Sequence, residues 1–363
     1  MPFEQDPSYY QDEESKKLLA NNQNFSNKNT VDPVVISPMY RIAEFALRAG
    51  VTFLISGEPG TGKTTAIIKF GVKYGIPVYI IPCHSSMPKS SLIGKRIFNP
   101  HKGIDGDERE TLFVPLGFLK GYEKGFITVG DDFLQTTENI MTEAMEFAMM
   151  PDNYNCTDED GKIYEKHPNF RFVATGNLNY EGSHSAPTAL NSRFGLKLKI
   201  GRLTKKAFLL VEKSKAPWLS DAFFNQAYDL CTSIIKEGEA NHKPKVPCGV
   251  RALNAALKTI FEEEIDTPIT LEDFSMVVEA AFVNCLYTEK VPEDKIEAFR
   301  NTPVVQAFIT KMFNEYKSSP RPLAPGMSQQ AQAVQSQQIQ QPINPPTPKS
   351  GMDLFDDLYG TRI

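Results

Sequence analysis

The sequence predicts an α/β fold: a three-layer αβα core on a parallel sheet, followed by a C-terminal all-helical region. Three observations predict it. Between residues 51 and 200 apolar stretches of strand length alternate with helical periodicity, as in successive βαβ units. A glycine-rich turn, Gly57-Glu58-Pro59-Gly60-Thr61-Gly62-Lys63-Thr64, joins the first of those strands directly to a helix. Beyond Gly201 the strand signal stops and only helical periodicity continues. With 363 residues, of which 41% are hydrophobic and 23% charged, the chain can bury a sizeable core in about two domains. A wholly disordered or disulfide-stapled chain is excluded.

Taken in order, residues 1–32 are rich in Asn, Gln, Lys and Glu and read as an extended or disordered arm. The core is expected over 33–202. Ile42, Phe45, Ala46 and Ala49 recur at helical spacing and lead into a strand at Val51–Ser56. A helix from about Lys63 to Tyr74 and a strand at Pro77–Pro82 follow. Residues 83–124 are loop-rich, with room for a short helix or a hairpin insertion. Phe126–Val129 is a strand, Glu138–Met150 a helix, and Phe170–Thr175 and Leu196–Ile200 are further strands. The segments 204–215, 217–238, 249–263, 271–288 and 304–316 carry helical periodicity and form the helical region, 203–317. Residues 318–350 shift to Pro, Gln, Ser and Ala, which cannot bury enough apolar surface to offset chain entropy, so a disordered linker is expected. In 351–363, leucines and aromatics alternate with aspartates (Met352-Asp353-Leu354-Phe355-Asp356-Asp357-Leu358-Tyr359), the pattern of either a docking peptide for a basic-rimmed groove or an inert terminus.

The net charge of -5 provides no global field for non-specific nucleic-acid binding. The five cysteines lie far apart, without a CxxC pair, and read as reduced thiols of a cytosolic protein. No apolar run approaches the roughly 20 residues needed to cross a bilayer, and the first residues lack a signal-peptide pattern. A cytoplasmic protein without a membrane partner is the expectation.

The turn at 57–64 satisfies GxxxxGK[ST] between a strand and a helix. Glycines let backbone N–H groups curl around phosphates, and the helix N-terminus adds partial positive charge. Lys63 would reach the β- and γ-phosphates and Thr64 would offer a hydroxyl to Mg²⁺, with Thr65 completing the nucleotide contacts. Asp131 and Asp132 end the strand Phe126–Val129 where such a site needs acid: Asp131 for Mg²⁺, Asp132 to polarise the attacking water. Asn177, after Arg171-Phe172-Val173-Ala174-Thr175-Gly176, could hydrogen-bond the γ-phosphate or the lytic water, or simply form a turn. Arg193 before the last strand and Arg251 at the start of a helix could neutralise transition-state charge, with surface arginines as the alternative. The acidic run Asp158-Glu159-Asp160-Gly161 reads as a solvated hairpin tip. No histidine has a partner at metal-ligand spacing, so each reads as surface or structural.

In this order the elements resemble the AAA+ superfamily of P-loop ATPases, with Walker A at 57–64, Walker B at 127–132, sensor 1 at Asn177, an arginine finger at Arg193 and sensor 2 at Arg251. The segment around Leu92-Ile93-Gly94 and the approach Thr111–Leu119 to Walker B look like the helix-2 insert of the MoxR and CobS-like branch. The resemblance spans about residues 34–290. It implies ATP and Mg²⁺ as cofactors, a helical lid over the nucleotide, a homo-oligomer (a hexameric ring) whose sites Arg193 completes across the subunit boundary, and a partner bearing a von Willebrand A domain for remodelling a protein client. Asp132 stands where the family carries glutamate, which leaves the carboxylate about 1.5 Å short and predicts slow hydrolysis. The competing readings are a nucleic-acid motor or replication accessory ATPase, and a small-molecule kinase, which the lid and the insert disfavour.

Overall fold

The computed structural model describes residues 7–99, 102, 109–149, 155–158, 161–177, 192–241, 248–264, 268–286 and 291–320. The elements below all belong to one compact unit, Met1–Ser319. The readings of 318–350 as a linker and of 351–363 as a docking segment fall, from 321 onward, outside the described residues.

Five strands form one parallel sheet: β1 (Phe53–Gly57), β2 (Val78–Pro82), β5 (Ile127–Asp131), β8 (Arg171–Gly176) and β9 (Leu196–Ile200), in the order β2-β5-β8-β1-β9. Phe53 pairs with Val173 on one side and Leu196 on the other, so β1 lies deep in the sheet. Both its faces are covered, which explains why its apolar run is continuous. Phe53 and Ile55 pack toward α3 (Met39–Ala49) and α4 (Lys63–Tyr74), while Leu54 packs toward α6 (Gly117–Lys124) and α7 (Glu138–Met149). The three-layer expectation holds. β9 is an edge strand whose Lys197 and Lys199 are exposed, a placement that discourages pairing with another chain.

The loop-rich stretch 83–124 resolves into α5 (Lys89–Leu92), an antiparallel hairpin of β3 (Gly94–Phe98) and β4 (Thr111–Pro115), and α6. A second hairpin pairs β6 (Asn155–Thr157) with β7 (Ile163–Glu165); the Asp158 and Gly161 turn expected from the sequence closes it through Gly161 N–H to Asp158 O at 3.1 Å.

The N-terminal arm is corrected. Residues 7–36 are not extended: a 3₁₀ turn (Pro7–Tyr10), α1 (Glu13–Lys28) and α2 (Pro33–Ile36) pack on the core. The polar composition misleads because the polar groups are paired. Asp12 caps α1 by accepting from Ser15 N–H at 3.1 Å. Asn22 is buried against the free edge of β2, accepting from Val78 N–H at 2.8 Å and donating to Val78 O at 3.3 Å, so one amide satisfies two strand groups. Buried Tyr10 donates its hydroxyl to Gly125 O at 2.9 Å.

The helical region comprises α8 (Lys205–Lys215), α9 (Asp221–Ala240), α10 (Val250–Glu263), α11 (Leu271–Phe282), α12 (Glu293–Arg300) and α13 (Pro303–Ser318). Thr204, Ser220, Thr270 and Thr302 start α8, α9, α11 and α13 as side-chain N-caps, and Pro303 occupies the first turn of α13. α12 is polar enough to have escaped the periodicity. Phe223, Phe274 and Tyr316 form the aromatic centre of this core, with Phe274 and Tyr316 5.6 Å apart between ring centroids. Cys231, Cys248 and Cys285, remote in sequence, meet in this core as free thiols. Among the described residues no helix is long and apolar enough to cross a membrane.

Candidate functional site

Strand order positions the site. β5, β8 and β1 are neighbours, so the residues at their C-terminal ends, Asp131, Asn177 and the turn after Gly57, converge on one crevice at the sheet's edge. The turn needs glycine at two points: Gly60 and Gly62 sit at φ 80° and φ 87°, in the left-handed region. Thr61 Oγ1 donates to Glu58 O at 2.8 Å, and the buried Tyr40 hydroxyl donates to Thr61 O at 2.9 Å, which fixes the loop from beneath. Gly62 is also the N-cap of α4 and supplies no side-chain acceptor, so the first N–H groups of the helix await an external anion. A Cβ at Gly62 would meet nothing within 4 Å; the loop wraps open space.

Lys63 is buried in this crevice. Its ammonium donates to Gly57 O at 3.0 Å, Glu58 O at 2.9 Å and Asn177 Oδ1 at 2.8 Å. Burial pulls its pKa down to about 8, with Asp132 opposing that shift and Arg251 adding to it. Thr64 Oγ1 and Thr175 Oγ1 both donate to Asp131 Oδ1, each at 2.7 Å. Asn177 Nδ2 donates to Asp132 Oδ1 at 2.8 Å, so the single amide of Asn177 ties Lys63 to Asp132. Burial, and then the neighbouring Asp131 charge, raise the Asp132 pKa above the usual carboxylate value, while Lys63 and Arg251 oppose the rise. Asp132 has φ 55°, the one positive φ outside glycine among the described residues. That conformation costs an L-residue roughly 1–2 kcal/mol, less for aspartate than for most, and such outliers persist where their surroundings hold them.

The helical region closes the crevice. Arg251, exposed at the start of α10, and Asn254 one turn on line a cleft of about 280 Å³ with Gly60–Thr65, Asp131, Asp132 and Asn177. Every residue expected at the nucleotide is brought to this cleft or to the loop beneath it, except Arg193. Arg193 donates to Thr142 O at 3.4 Å and lies 3.7 Å from Glu146, over α7, and does not line the cleft. The Glu58 side chain turns away to a two-pronged contact with Arg202, at 2.7 and 2.9 Å.

Sequence reasoning missed two groups. Val31, Ile36, Leu203 and Val211 supply apolar walls to the cleft; the first two sit in or next to the segment read as an arm. Thr175 holds both acidic residues. The sequence carried no signal for this, because the contact arises only where β5 lies alongside β8.

Because Lys63 must be charged to attract phosphate, the sign of a pH effect follows. The charge is nearly full below about pH 7, half lost at about pH 8 and mostly lost above about pH 9, so nucleotide affinity is expected to fall between about pH 7 and pH 9. Near pH 8 binding should also draw a proton from the buffer. Calorimetry in buffers of different ionisation enthalpy measures both, and flat affinity without proton uptake would contradict the assignment.

Residues 52–194 match the family model described as AAA domain (dynein-related subfamily). That stretch runs from β1 past Arg193 and contains Lys63, Asp131, Asp132 and Asn177. The fold around it is a P-loop AAA+ α/β fold: a parallel sheet between helices, with a C-terminal helical region. The chain is also 22% identical over 267 residues to the gas vesicle ATPase GvpN of Ancylobacter aquaticus, covering 69% of this chain and 73% of that protein. A crystal structure of a Cytophaga hutchinsonii protein to which ATPase activity is ascribed aligns with 84% of this chain and 96% of its own, at 17% identity and a TM-score of 0.40.

Proposed function

We propose that this AAA+ ATPase is of the MoxR and CobS-like type: ATP closes it into a ring, and turnover drives remodelling of a protein client together with a partner subunit. One observation carries the proposal. Lys63, Asp131, Asp132 and Asn177 are assembled in the cleft, whereas Arg193 is turned outward over α7. A cleft complete but for one cation, on a chain that presents such a cation elsewhere, suits a site finished by a neighbouring copy.

The residues fit the ligands. The uncapped N-terminus of α4 and the Lys63 ammonium would hold the phosphates, and the apolar walls Val31, Ile36 and Leu203 would flank the base. Thr64 and Asp131 present the hard oxygen donors that Mg²⁺ prefers. The metal, when bound, neutralises charge on the β- and γ-phosphates. Asp132 stands ready to accept the water's proton, and Asn177 orients that carboxylate while sharing its amide oxygen with Lys63. Arg251 reaches the cleft from the lid and links nucleotide state to lid position. The von Willebrand A-domain partner and the hexamer belong to the same reading, supported by the insert at 89–115, where α5 and the β3–β4 hairpin stand. The docking role of 351–363 and the cytoplasmic location extend it.

Light scattering after size exclusion, combined with phosphate release, tests this. A ring-sized assembly with ATP and Mg²⁺ and a smaller species without them is the expected result. A chain that stays monomeric under both conditions defeats the ring; one that releases no phosphate in either defeats the ATPase.

A further inference from the structure

We infer that Thr175 is the positioning residue of the hydrolytic centre, and that the left-handed turn it holds is what allows an aspartate to serve at position 132. The inference rests on the ATPase reading and names a residue outside the motifs that carry that reading.

Thr175 is fully buried on β8, between Walker B on β5 and the P-loop strand β1. Its hydroxyl works in both directions. As donor it reaches Asp131 Oδ1 at 2.7 Å; as acceptor it takes Asp132 N–H at 3.1 Å. One oxygen thereby fixes the orientation of the first carboxylate and the backbone of the second. Asp131 Oδ1 is shared with Thr64. When the Thr64 hydroxyl turns toward Mg²⁺, Thr175 is the donor that keeps Asp131 in place.

The second effect concerns chain geometry. Asp132 takes φ 55° and its carboxylate meets Asn177 Nδ2 at 2.8 Å. A residue in this region redirects its Cα–Cβ bond relative to an extended one, so side-chain aim comes from the backbone and not from side-chain length. Aspartate, with asparagine and histidine, enters this region far more readily than other non-glycine residues. Glutamate would carry one further methylene past the contact with Asn177 and would sit less easily at this φ. The short side chain and the turn are one adaptation, and the Asp132 N–H bond to Thr175 Oγ1 holds it.

Four proteins test this: wild type, Thr175→Val, Thr175→Ser and Asp132→Glu. Each is assayed for ATP turnover and, separately, for binding of a fluorescent N-methylanthraniloyl-ATP with excess Mg²⁺ and with EDTA. Thr175→Val keeps the shape and removes the hydroxyl; kcat is expected to fall at least tenfold, with EDTA binding within twofold of wild type and the Mg²⁺ concentration for half-maximal tight binding raised at least threefold. Thr175→Ser should restore both readouts to within about threefold of wild type. Asp132→Glu should lose at least tenfold in kcat while binding nucleotide normally, whereas side-chain length alone predicts a gain. Turnover by Thr175→Val at the wild-type rate, equal losses in Thr175→Val and Thr175→Ser, parallel loss of EDTA binding, or faster turnover by Asp132→Glu would each overturn the inference. A wild-type chain that binds nucleotide without hydrolysing it would defeat the ATPase reading instead, and the Mg²⁺ dependence of binding by Thr175→Val would still judge Thr175.

Discussion

Lys63→Ala is expected to lower ATP turnover by at least about 10²-fold, the scale seen when one preorganised donor to developing charge is lost. The effect has two sources. The ammonium is the buried cation at the centre of the crevice, donating to Gly57 O, Glu58 O and Asn177 Oδ1, and phosphate oxygens would compete for those same protons. Its removal also frees Asn177, whose amide otherwise bridges the cation to Asp132, so water orientation is lost together with charge stabilisation. Folding stability should move far less. The variant leaves carbonyl acceptors short of a partner, at roughly 1–3 kcal/mol for a buried unsatisfied group, but it also relieves the burial that pulls the Lys63 pKa down to about 8. Lys63→Met, which keeps the apolar stem, separates packing from charge. Phosphate release and thermal unfolding of both variants measure the split; turnover within tenfold of wild type would show that Lys63 does not contact the reacting phosphates.

The sequence made the chemistry of this site legible to the extent that the chemistry is local. Gly57–Thr64 is read from spacing because left-handed backbone at Gly60 and Gly62 and a lysine at the first turn of a helix leave few other uses for such a pattern. Asp131 and Asp132 are read because a strand ends on them, and the sheet order then places that strand one away from β1. The N-terminal helix was not legible. Glu13–Lys28 is poor in apolar residues, and its attachment runs through Asn22 pairing with Val78, a contact across 56 positions that leaves no periodic trace. The walls at Val31 and Ile36 were lost with it. Thr175 escaped for another reason: a threonine inside an apolar strand reads as an ordinary β-former, and its role exists only because β5 lies alongside. Register and strand order, not composition, turned it into a contact. The αL turn at Asp132 was likewise invisible; the sequence showed a carboxylate one methylene short, and the backbone supplies a different aim.

Arg193→Ala is expected to cost about 10³–10⁵-fold in turnover, the range for an arginine supplied to a phosphoryl-transfer site, while leaving nucleotide affinity nearly unchanged. Beside Thr142 O and Glu146 the guanidinium is remote from its own cleft lining, and its exposed pairing with Glu146 is of the kind worth little in water, so nothing in the chain holds it strongly. A neighbour offering polyphosphate would compete readily for it. In its own cleft, Lys63, Arg251 and Lys215 are the cations against Asp131 and Asp132, and Lys215 is already engaged by Glu212 at 3.3 Å, so the charge that develops on transfer is less than fully met. Mixing separates action across a boundary from action within a chain. Arg193→Ala protomers keep a complete cleft, and Lys63→Ala protomers keep the arginine; each preparation alone should be nearly inactive. If the arginine serves its neighbour, random mixed rings made from equal amounts contain correctly matched boundaries at about one position in four, and turnover should recover toward about a quarter of the wild-type value. An equal mixture that assembles yet remains as inactive as its components would rule out service to a neighbouring cleft and leave only action within the arginine's own chain.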